Sequence, residues 1–206
     1  MKERILQQAE KMFTRYGIRN ISMDTIAREL SISKKTIYQY FQDKDDLVMQ
    51  VATLHHQRDI DQLAQLLQEK TDLTAIDELL LIADYVAAMI RHINPAYLYD
   101  MQKFHETAWK VCQQQEENFI HRAIRNNLQK GMTDGLYRND LNIEIMLRLI
   151  LFQNNIIADP HYFPEKDFHI IEVHQQVVKH FIYGIVNEKG FQHLEIYSNN
   201  SNKNTL

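Results

Sequence analysis

Glycine and proline are scarce in this chain, which has 5 Gly and 3 Pro among 206 residues. Sheets and barrels need many turns, and turns depend on these two residue types. The abundant residues include Leu, Ile, Gln, Glu and Lys, most of which favour helices. The apolar share of 45% and the charged share of 24% are those of an ordinary globular protein. The sequence therefore predicts an all-α fold of long helices.

The cellular compartment is predicted from the single cysteine and from the absence of long apolar segments. Cys112 cannot form an internal disulfide, which suits a reducing cytoplasm. Charged residues occur throughout residues 1–13, so no apolar signal segment is expected. The most apolar stretch, residues 79–90, is interrupted by Asp84 and is too short to span a membrane. We expect a cytoplasmic protein.

Charge is distributed unevenly along the chain. Residues 1–41 contain eight Lys or Arg against four acidic residues and carry a charge of +4. Since the net charge of the whole chain is −4, the remaining residues carry −8. A basic N-terminal region on an acidic body indicates a polyanionic partner for that region alone, although an excess of four charges can also arise by chance.

The first fifty residues contain three short apolar patterns at helical spacing. Gly17 follows the first pattern as a helix C-cap, and Ser22 is an N-cap candidate for a second helix that ends near Leu30. Ser33 is an N-cap candidate for a third helix over residues 34–41. The first pattern consists of Ile5, Leu6, Ala9, Met12, Phe13 and Tyr16.

Beyond these helices, the pattern predicts an extended helical region and a polar tail. Expected helices cover residues 44–67, 74–93, 95–106, 108–130, 142–157 and 167–187. The pattern divides the chain into three parts: an N-terminal region of short helices over residues 1–47, a larger helical region over 48–189, and a polar tail over 190–206 that is expected to be disordered.

The second and third helices and the three-residue break between them form a helix-turn-helix. Ala27 is small enough for the two helices to approach closely, and Ile32, Ile37 and Phe41 fill the core beneath their crossing. The outer face of the third helix is cationic, hydroxylated and aromatic, which suits a DNA groove. This face consists of Lys34, Lys35, Thr36, Tyr38, Gln39 and Tyr40.

Residues 25–48 resemble the DNA-binding domain of the tetracycline-repressor (TetR) family, as do Ala9, Phe13 and the pair Tyr16-Gly17 before them. The resemblance covers about residues 4–50. Its specific positions include Tyr38, Phe41, Lys44 and Leu47. Residues 131–138 also resemble the end of the seventh helix in many members of this family.

Two positions depart from the family pattern. Ser31 stands at a turn position that is often Gly, so a left-handed backbone is less easily adopted there. Lys35 also replaces a frequent Gly and adds a long cation to the outer face of the third helix.

The resemblance implies roles for individual residues. Lys34, Lys35 and Thr36 are expected to contact base edges. Phosphates are expected to be contacted by four further residues, although Tyr40 could instead pack partly on the core. These four are Ser22, Tyr38, Tyr40 and Lys44.

The resemblance also implies a dimer and a ligand pocket in the C-terminal region. A dimer allows two-fold related half-sites to be read together. The candidate interface residues are Leu147, Ile150, Leu151, Val173, Val177 and Phe181. The candidate pocket residues are Tyr85, Met89, Tyr97, Phe104 and Trp109. Periodicity leaves open whether either group instead belongs to the chain's own core.

The function expected from the sequence is that of a homodimeric regulator, normally a repressor, which binds a palindromic operator and is released by a small hydrophobic or aromatic effector. We expect no cofactor, no metal site and no enzymatic activity, because the chain has no helically spaced metal-binding histidines and no catalytic motif. A protein-binding module with a basic docking surface is the alternative.

Overall fold

The computed structural model describes residues 1–92, 94–157, 161–164 and 166–203, and these are predominantly helical. None of the helices in these ranges is long and apolar enough to cross a membrane. The helices are α1 Lys2–Tyr16, α2 Met23–Glu29, α3 Lys34–Tyr38, α4 Lys44–Glu69, α5 Ala75–His92, α6 Pro95–Phe104, α7 Glu106–Thr133, α8 Ile143–Ile157, α9 Ile170–Ile185 and α10 Glu188–Lys203. The all-α prediction is confirmed for this part of the chain.

The chain forms two compact units. The first comprises Met1–Ala64 with His92–Asn118, and the second comprises Gln65–Arg91 with Phe119–Leu206. This division differs from the predicted boundary at residue 47, because residues of α6 and α7 pack with the N-terminal helices. Tyr97, Met101, Ala108 and Cys112 all belong to the same apolar core as α1 to α3 and the start of α4.

Local sequence explains how the first helices begin and end. Met12 and Phe13 on α1 are buried, and α1 ends at Gly17, whose φ of 80° is in the region that favours glycine. The Gly17 amide donates to the Phe13 carbonyl at 2.9 Å. Ser22 and Ser33 are the N-caps of α2 and α3, as predicted.

The second unit has a core built around Tyr137. The Tyr137 hydroxyl donates to Asn127 Oδ1 at 2.9 Å, and Asn127 Nδ2 donates to the Ala75 carbonyl at 2.7 Å. Gly131 lies directly against the Tyr137 ring, so close that a Cβ at this position would be 2.2 Å from ring carbons. Helix α7 therefore continues through Gly131 to Thr133, beyond the predicted end at residue 130.

The C-terminal segment differs from the expected disordered tail. Helix α10 begins at Glu188, and Gly190 and Leu194 are buried in the second unit. A Cβ on Gly190 would be 2.2 Å from the Leu136 carbonyl oxygen, so this glycine permits close packing of α10. The polar composition of this segment predicted disorder and gave no indication of this contact. Residues 204–206 of the predicted tail lie outside the described residues.

Candidate nucleic-acid interface

Helices α2 and α3 are joined by a turn whose geometry is fixed by backbone hydrogen bonds. The Ser31 amide donates to the Arg28 carbonyl at 3.0 Å, and the Ile32 amide donates to the Ala27 carbonyl at 2.9 Å. This pair of bonds forms a Schellman motif, in which the residue after the helix is normally a left-handed glycine. Ser31 adopts that conformation with a φ of 55°, although its side chain makes it less favourable.

Each of the two helices begins with the same capping arrangement. Ser22 Oγ accepts from the Thr25 amide at 3.0 Å and lies 2.8 Å from the Thr25 hydroxyl. Ser33 Oγ accepts from the Thr36 amide at 3.1 Å and lies 2.9 Å from the Thr36 hydroxyl. The Ser-x-x-Thr spacing is visible twice in the sequence, but the part of Thr25 was not predicted.

Helix α3 ends at Tyr38, three residues before the predicted end at residue 41, and the outer surface formed by α3 and the turn after it has the predicted polarity. Ile37 and Phe41 are buried beneath it, whereas Lys34 and Lys35 are exposed. The exposed fractions of Tyr38 and Tyr40 are 45% and 40%. Tyr40 therefore does not pack fully into the core. Thr36 is half-buried, with its hydroxyl directed to Ser33.

Lys34 is already paired in the structure. Its Nζ donates to Asp24 Oδ2 at 2.7 Å, and this hydrogen bond raises the pKa of the Lys34 ammonium. Asp24 belongs to α2, so the pair connects the two helices across the turn. The ammonium group has two further N–H donors that this bond does not use.

Lys44, which is predicted to contact a phosphate, is half-buried. Its Nζ donates to the Ile18 carbonyl at 2.7 Å, and burial lowers the pKa of its ammonium group. Asp100 on α6 acts on Lys44 in the opposite direction and accepts a hydrogen bond from the Arg19 amide at 2.8 Å. Lys44 and Asp100 thereby hold residues 18 and 19, just before α2, in place.

The predicted pocket residues are divided between the two units. Tyr97 and Trp109 belong to the first unit, where Tyr97 is buried and Trp109 packs against the core. Tyr85 and Met89 are half-buried in the second unit. Phe104 has an exposed fraction of 45%, and the Arg19 guanidinium lies 4.4 Å from its ring centroid. Phe104 is therefore a surface partner of Arg19.

The predicted dimer residues also lie mostly in the interior of the second unit. Leu147, Ile150 and Phe181 are buried in its core, Val173 is also buried, and Leu151 and Val177 are half-buried. The outward face of α8 instead exposes Ile145, Leu149 and Phe152, at spacings of four and three residues. The predicted residues therefore mostly face the interior of the second unit, which is the alternative that periodicity left open.

Comparison with known proteins shows what this arrangement is similar to. Residues 5–51 match the family described as "Bacterial regulatory proteins, tetR family". An HTH-type transcriptional regulator of Staphylococcus aureus (strain USA300) is 45% identical over 60 residues, which are 29% of this chain and 30% of that protein. The chain thus matches less than a third of the length of this relative.

Solved structures show the same fold over most of the chain. A TetR transcription regulator from Haloarcula marismortui has a TM-score of 0.73 and 19% identity, covering 90% of this chain and 98% of that one. The transcriptional regulator FadR from Bacillus subtilis, solved in complex with stearoyl-CoA, has a TM-score of 0.63 and 14% identity, covering 90% and 100%.

Proposed function

Through its N-terminal domain this chain belongs to the tetR family of bacterial regulatory proteins, and we propose that it is a homodimeric, ligand-responsive transcriptional regulator whose α3 enters the major groove of an operator. The observation that carries this proposal is the outer face of α3. Exposed lysines and tyrosines project from α3 and the turn that follows it, while Ile37 and Phe41 on the opposite side are buried in the core. Such a face combines hydrogen-bond donors with planar side chains on a rigid support.

The proposed contacts follow from the position of each side chain. Lys35 is exposed and makes no ion pair with the described residues, so it is the principal base-reading residue. Lys34 joins it through the N–H groups that Asp24 does not engage. Tyr38 and Tyr40 contact phosphates through their hydroxyl groups.

Three further residues support the interface from closer to the core. Thr36 contributes its methyl group to a base edge, and Ser22 brings the start of α2 to a phosphate. Lys44 positions the preceding loop through Ile18. It contacts DNA only through the N–H groups that Ile18 does not engage.

The homodimer is proposed to form through the outer face of α8. Ile145, Leu149 and Phe152 lie on one side of this helix, and Phe152 has an exposed fraction of 62%. Aligned exposed apolar side chains are costly in water and are typical of protein interfaces. Two-fold symmetry would place two copies of α3 in successive major grooves of a palindromic site.

The dimer is tested by measuring the mass of the particle in solution. The Phe152→Glu substitution should convert the dimer to a monomer, because a charge would be buried against an apolar face. The control is Leu54→Glu, which changes another exposed apolar residue, on α4. A dimer that persists in the Phe152→Glu variant would exclude this face.

DNA binding is tested with duplex fragments from beside the protein's own gene. We expect saturable binding at one site, weakened by salt, since phosphate contacts release counterions. The Lys35→Ala variant should relax sequence preference, with a loss of about tenfold or more in affinity. Lys70→Ala, which removes an exposed lysine outside the interface, should bind as the parent protein does.

The alternative outcomes separate the two candidate functions. Binding that is salt-sensitive but indifferent to sequence, and equally affected by both lysine substitutions, would contradict the regulator. It would favour a basic surface that docks an acidic protein. Repression, rather than activation, is proposed for the operator complex and is tested by transcription from that operator with and without the protein.

A further inference from the structure

Helix α3 begins with two lysines, Lys34 and Lys35, and its first turn contains no acidic residue. The N-terminal end of a helix carries a partial positive charge, so two cations in the first turn are unfavourable for the helix itself. Both side chains are exposed, so burial offers no compensating gain. Their position therefore favours contact with a polyanion over the local stability of α3.

An acidic side chain from the preceding helix contacts one of these two lysines. Lys34 Nζ donates to Asp24 Oδ2 at 2.7 Å, and the exposed fractions of the two side chains are 46% and 67%. Lys35 makes no ion pair with the described residues. Asp24 therefore lies beside the Lys34 ammonium group on the surface that α2 and α3 share.

Stability alone does not explain this ion pair. Water and salt screen both charges of an exposed pair, so such pairs stabilise a protein little. A position in the first turn of α2 favours an acidic residue, but it does not require that residue to contact α3. On a surface that approaches DNA, the carboxylate of Asp24 is also repelled by phosphates. Its presence indicates a contact in which a negatively charged acceptor is favourable.

The major-groove edge of a G·C base pair offers groups that match both side chains. Guanine presents the acceptors N7 and O6, to which a lysine donates, and cytosine presents the N4 amino donor, from which an aspartate accepts. Guanine O6 and cytosine N4 are hydrogen-bonded to each other within the pair, so an ammonium group on O6 has the amino group next to it. A carboxylate that already contacts this ammonium group is then placed to accept from N4.

Both side chains keep hydrogen-bonding groups free for such a contact. The Lys34 ammonium group has three N–H donors, and Asp24 takes one of them. Lys34 uses only Oδ2 of the carboxylate, and Oδ1 accepts no hydrogen bond from the described residues. The hydrogen bond to Asp24 raises the pKa of Lys34, so the lysine stays protonated near neutral pH.

We propose that Asp24 and Lys34 together read one G·C base pair, in which Lys34 donates to guanine and Asp24 accepts from the cytosine amino group. An A·T pair does not satisfy both side chains, because the adenine amino group stands where guanine O6 does and thymine O4 stands where the cytosine amino group does. Asp24 is thus a specificity-determining residue on α2. The inference rests on the proposed function, since it requires α3 to lie in the major groove.

The first test is a selection by the full chain from a pool of duplexes with a random central segment, followed by sequencing of the bound fraction. We expect the parent protein to prefer a G·C pair at one position of its half-site. The Asp24→Ala and Lys34→Ala variants should each reduce that preference by about tenfold. The control is Glu29→Ala, which removes an exposed acidic residue at the other end of α2 and should leave every preference unchanged.

A modified base tests the proposed hydrogen bond on the selected site. Replacing the cytosine of that G·C pair by 2-pyrimidinone removes the N4 amino group. The parent protein should lose about tenfold in affinity, and Asp24→Ala should lose much less, because the weakening of the base pair itself is common to both proteins. An unchanged affinity of the parent protein, or equal losses in the two proteins, would overturn the proposal without reliance on how the variant folds.

A carboxylate that only repels phosphates gives a different result. Asp24→Ala would then bind all duplexes more tightly by the same factor, poly(dA·dT) included, and its base preferences would be those of the parent protein. That outcome would also overturn the proposed reading of a G·C pair.

The failure of this inference is distinguishable from the failure of the proposed function. If the parent protein enriches no duplex from the pool, the regulator fails and the reading of a base pair fails with it. If the parent protein enriches a site whose base preferences are unchanged in Asp24→Ala, the role of Asp24 fails and the regulator stands.

Discussion

The helix-turn-helix of the first unit and the Tyr137 region of the second are both well packed, but they are held together over very different distances along the chain. In the helix-turn-helix, Ser22 caps Thr25, Ser33 caps Thr36, and the Ile32 amide reaches back only to Ala27. In the second unit, Asn127 bonds to Ala75 and Lys130 to the Leu73 carbonyl, across 52 and 57 residues.

This difference explains why one region is recognisable and the other is not. Short-range constraints require particular residue types at fixed spacings, so they leave a pattern in any chain that folds in the same way. Long-range contacts require only that two surfaces fit, and many residue pairs can meet that requirement. The comparisons follow this division. A family is matched at residues 5–51, whereas the identity to the two solved structures over most of the chain is only 14–19%.

The largest expected effect is in the second unit, at Gly131. The Gly131→Ala substitution would place a methyl group 2.2 Å from carbons of the buried Tyr137 ring. We expect a loss of about 3 kcal/mol in the free energy of unfolding, measured by urea denaturation, because neither the helix nor the ring can move aside easily.

The matched control is Gly184→Ala on α9. No atom lies within 4 Å of the added Cβ there, so the substitution should stabilise the helix by about 1 kcal/mol. If both substitutions proved harmless, the second unit would be loosely packed, and its weak sequence signal would have another cause.

The sequence could predict Gly131 only as a helix end, since a glycine near a helix terminus is usually a cap. In the structure Gly131 instead makes room for the ring of Tyr137. That contact depends on the turn containing Gly135, with a φ of 65°, which brings Tyr137 back against α7. The same limit applies to Gly190 and to the apolar stripes of α8. Helical spacing cannot say whether an apolar stripe faces the chain's own core or a partner, so the sequence leaves both possibilities open for Leu147 and Ile150.

In the interface the prediction was more complete. Both N-caps, the turn and the buried positions Ile37 and Phe41 follow from local pattern, because each depends on neighbours a few residues away. The sequence could not predict that Lys44 donates to Ile18 or that Lys34 pairs with Asp24. Those contacts depend on how helices are placed in space.

The second prediction concerns a long-range contact that depends on pH. Burial on its own would raise the pKa of Asp77, but hydrogen bonds from Thr74 and His193 outweigh it and hold that pKa below the ordinary 3.8. Stability from a carboxylate with a lowered pKa is present above the ordinary pKa and is lost as the pH falls through the folded-state pKa. Asp77→Asn should therefore cost about 1.5 kcal/mol near neutral pH and much less near about pH 3.

This prediction is checked by urea unfolding at the two pH values, with the exposed Asp72→Asn as control. Since His193 Nε2 lies 3.1 Å from Asp77 Oδ1, loss of the contact should also loosen α10. A difference between parent and Asp77→Asn that stays constant with pH would mean that the Asp77 charge plays no part.

The third prediction returns to the helix-turn-helix and a short-range contact. Ser33→Ala removes the cap of the Thr36 amide and should cost about 1 kcal/mol of stability. Ser33→Asp keeps a capping oxygen and should retain stability, yet it adds a negative charge beside the lysines and should weaken duplex binding. If both variants lost the same stability, the cap would not be the cause.

The smallest expected effect is a gain in stability at Ser31, a serine at a left-handed turn position that normally favours glycine. Its φ of 55° suits glycine, so Ser31→Gly should stabilise the protein by about 0.5 kcal/mol, after the greater entropy of glycine in the unfolded chain is subtracted. Ser31→Ala should give no gain, because alanine meets the same steric conflict between its Cβ and the backbone. Urea midpoints of the two variants measure the difference directly. A loss of stability in Ser31→Gly would show that the serine hydroxyl contributes more than the strained backbone costs, and local conformation alone would then be insufficient to explain the turn.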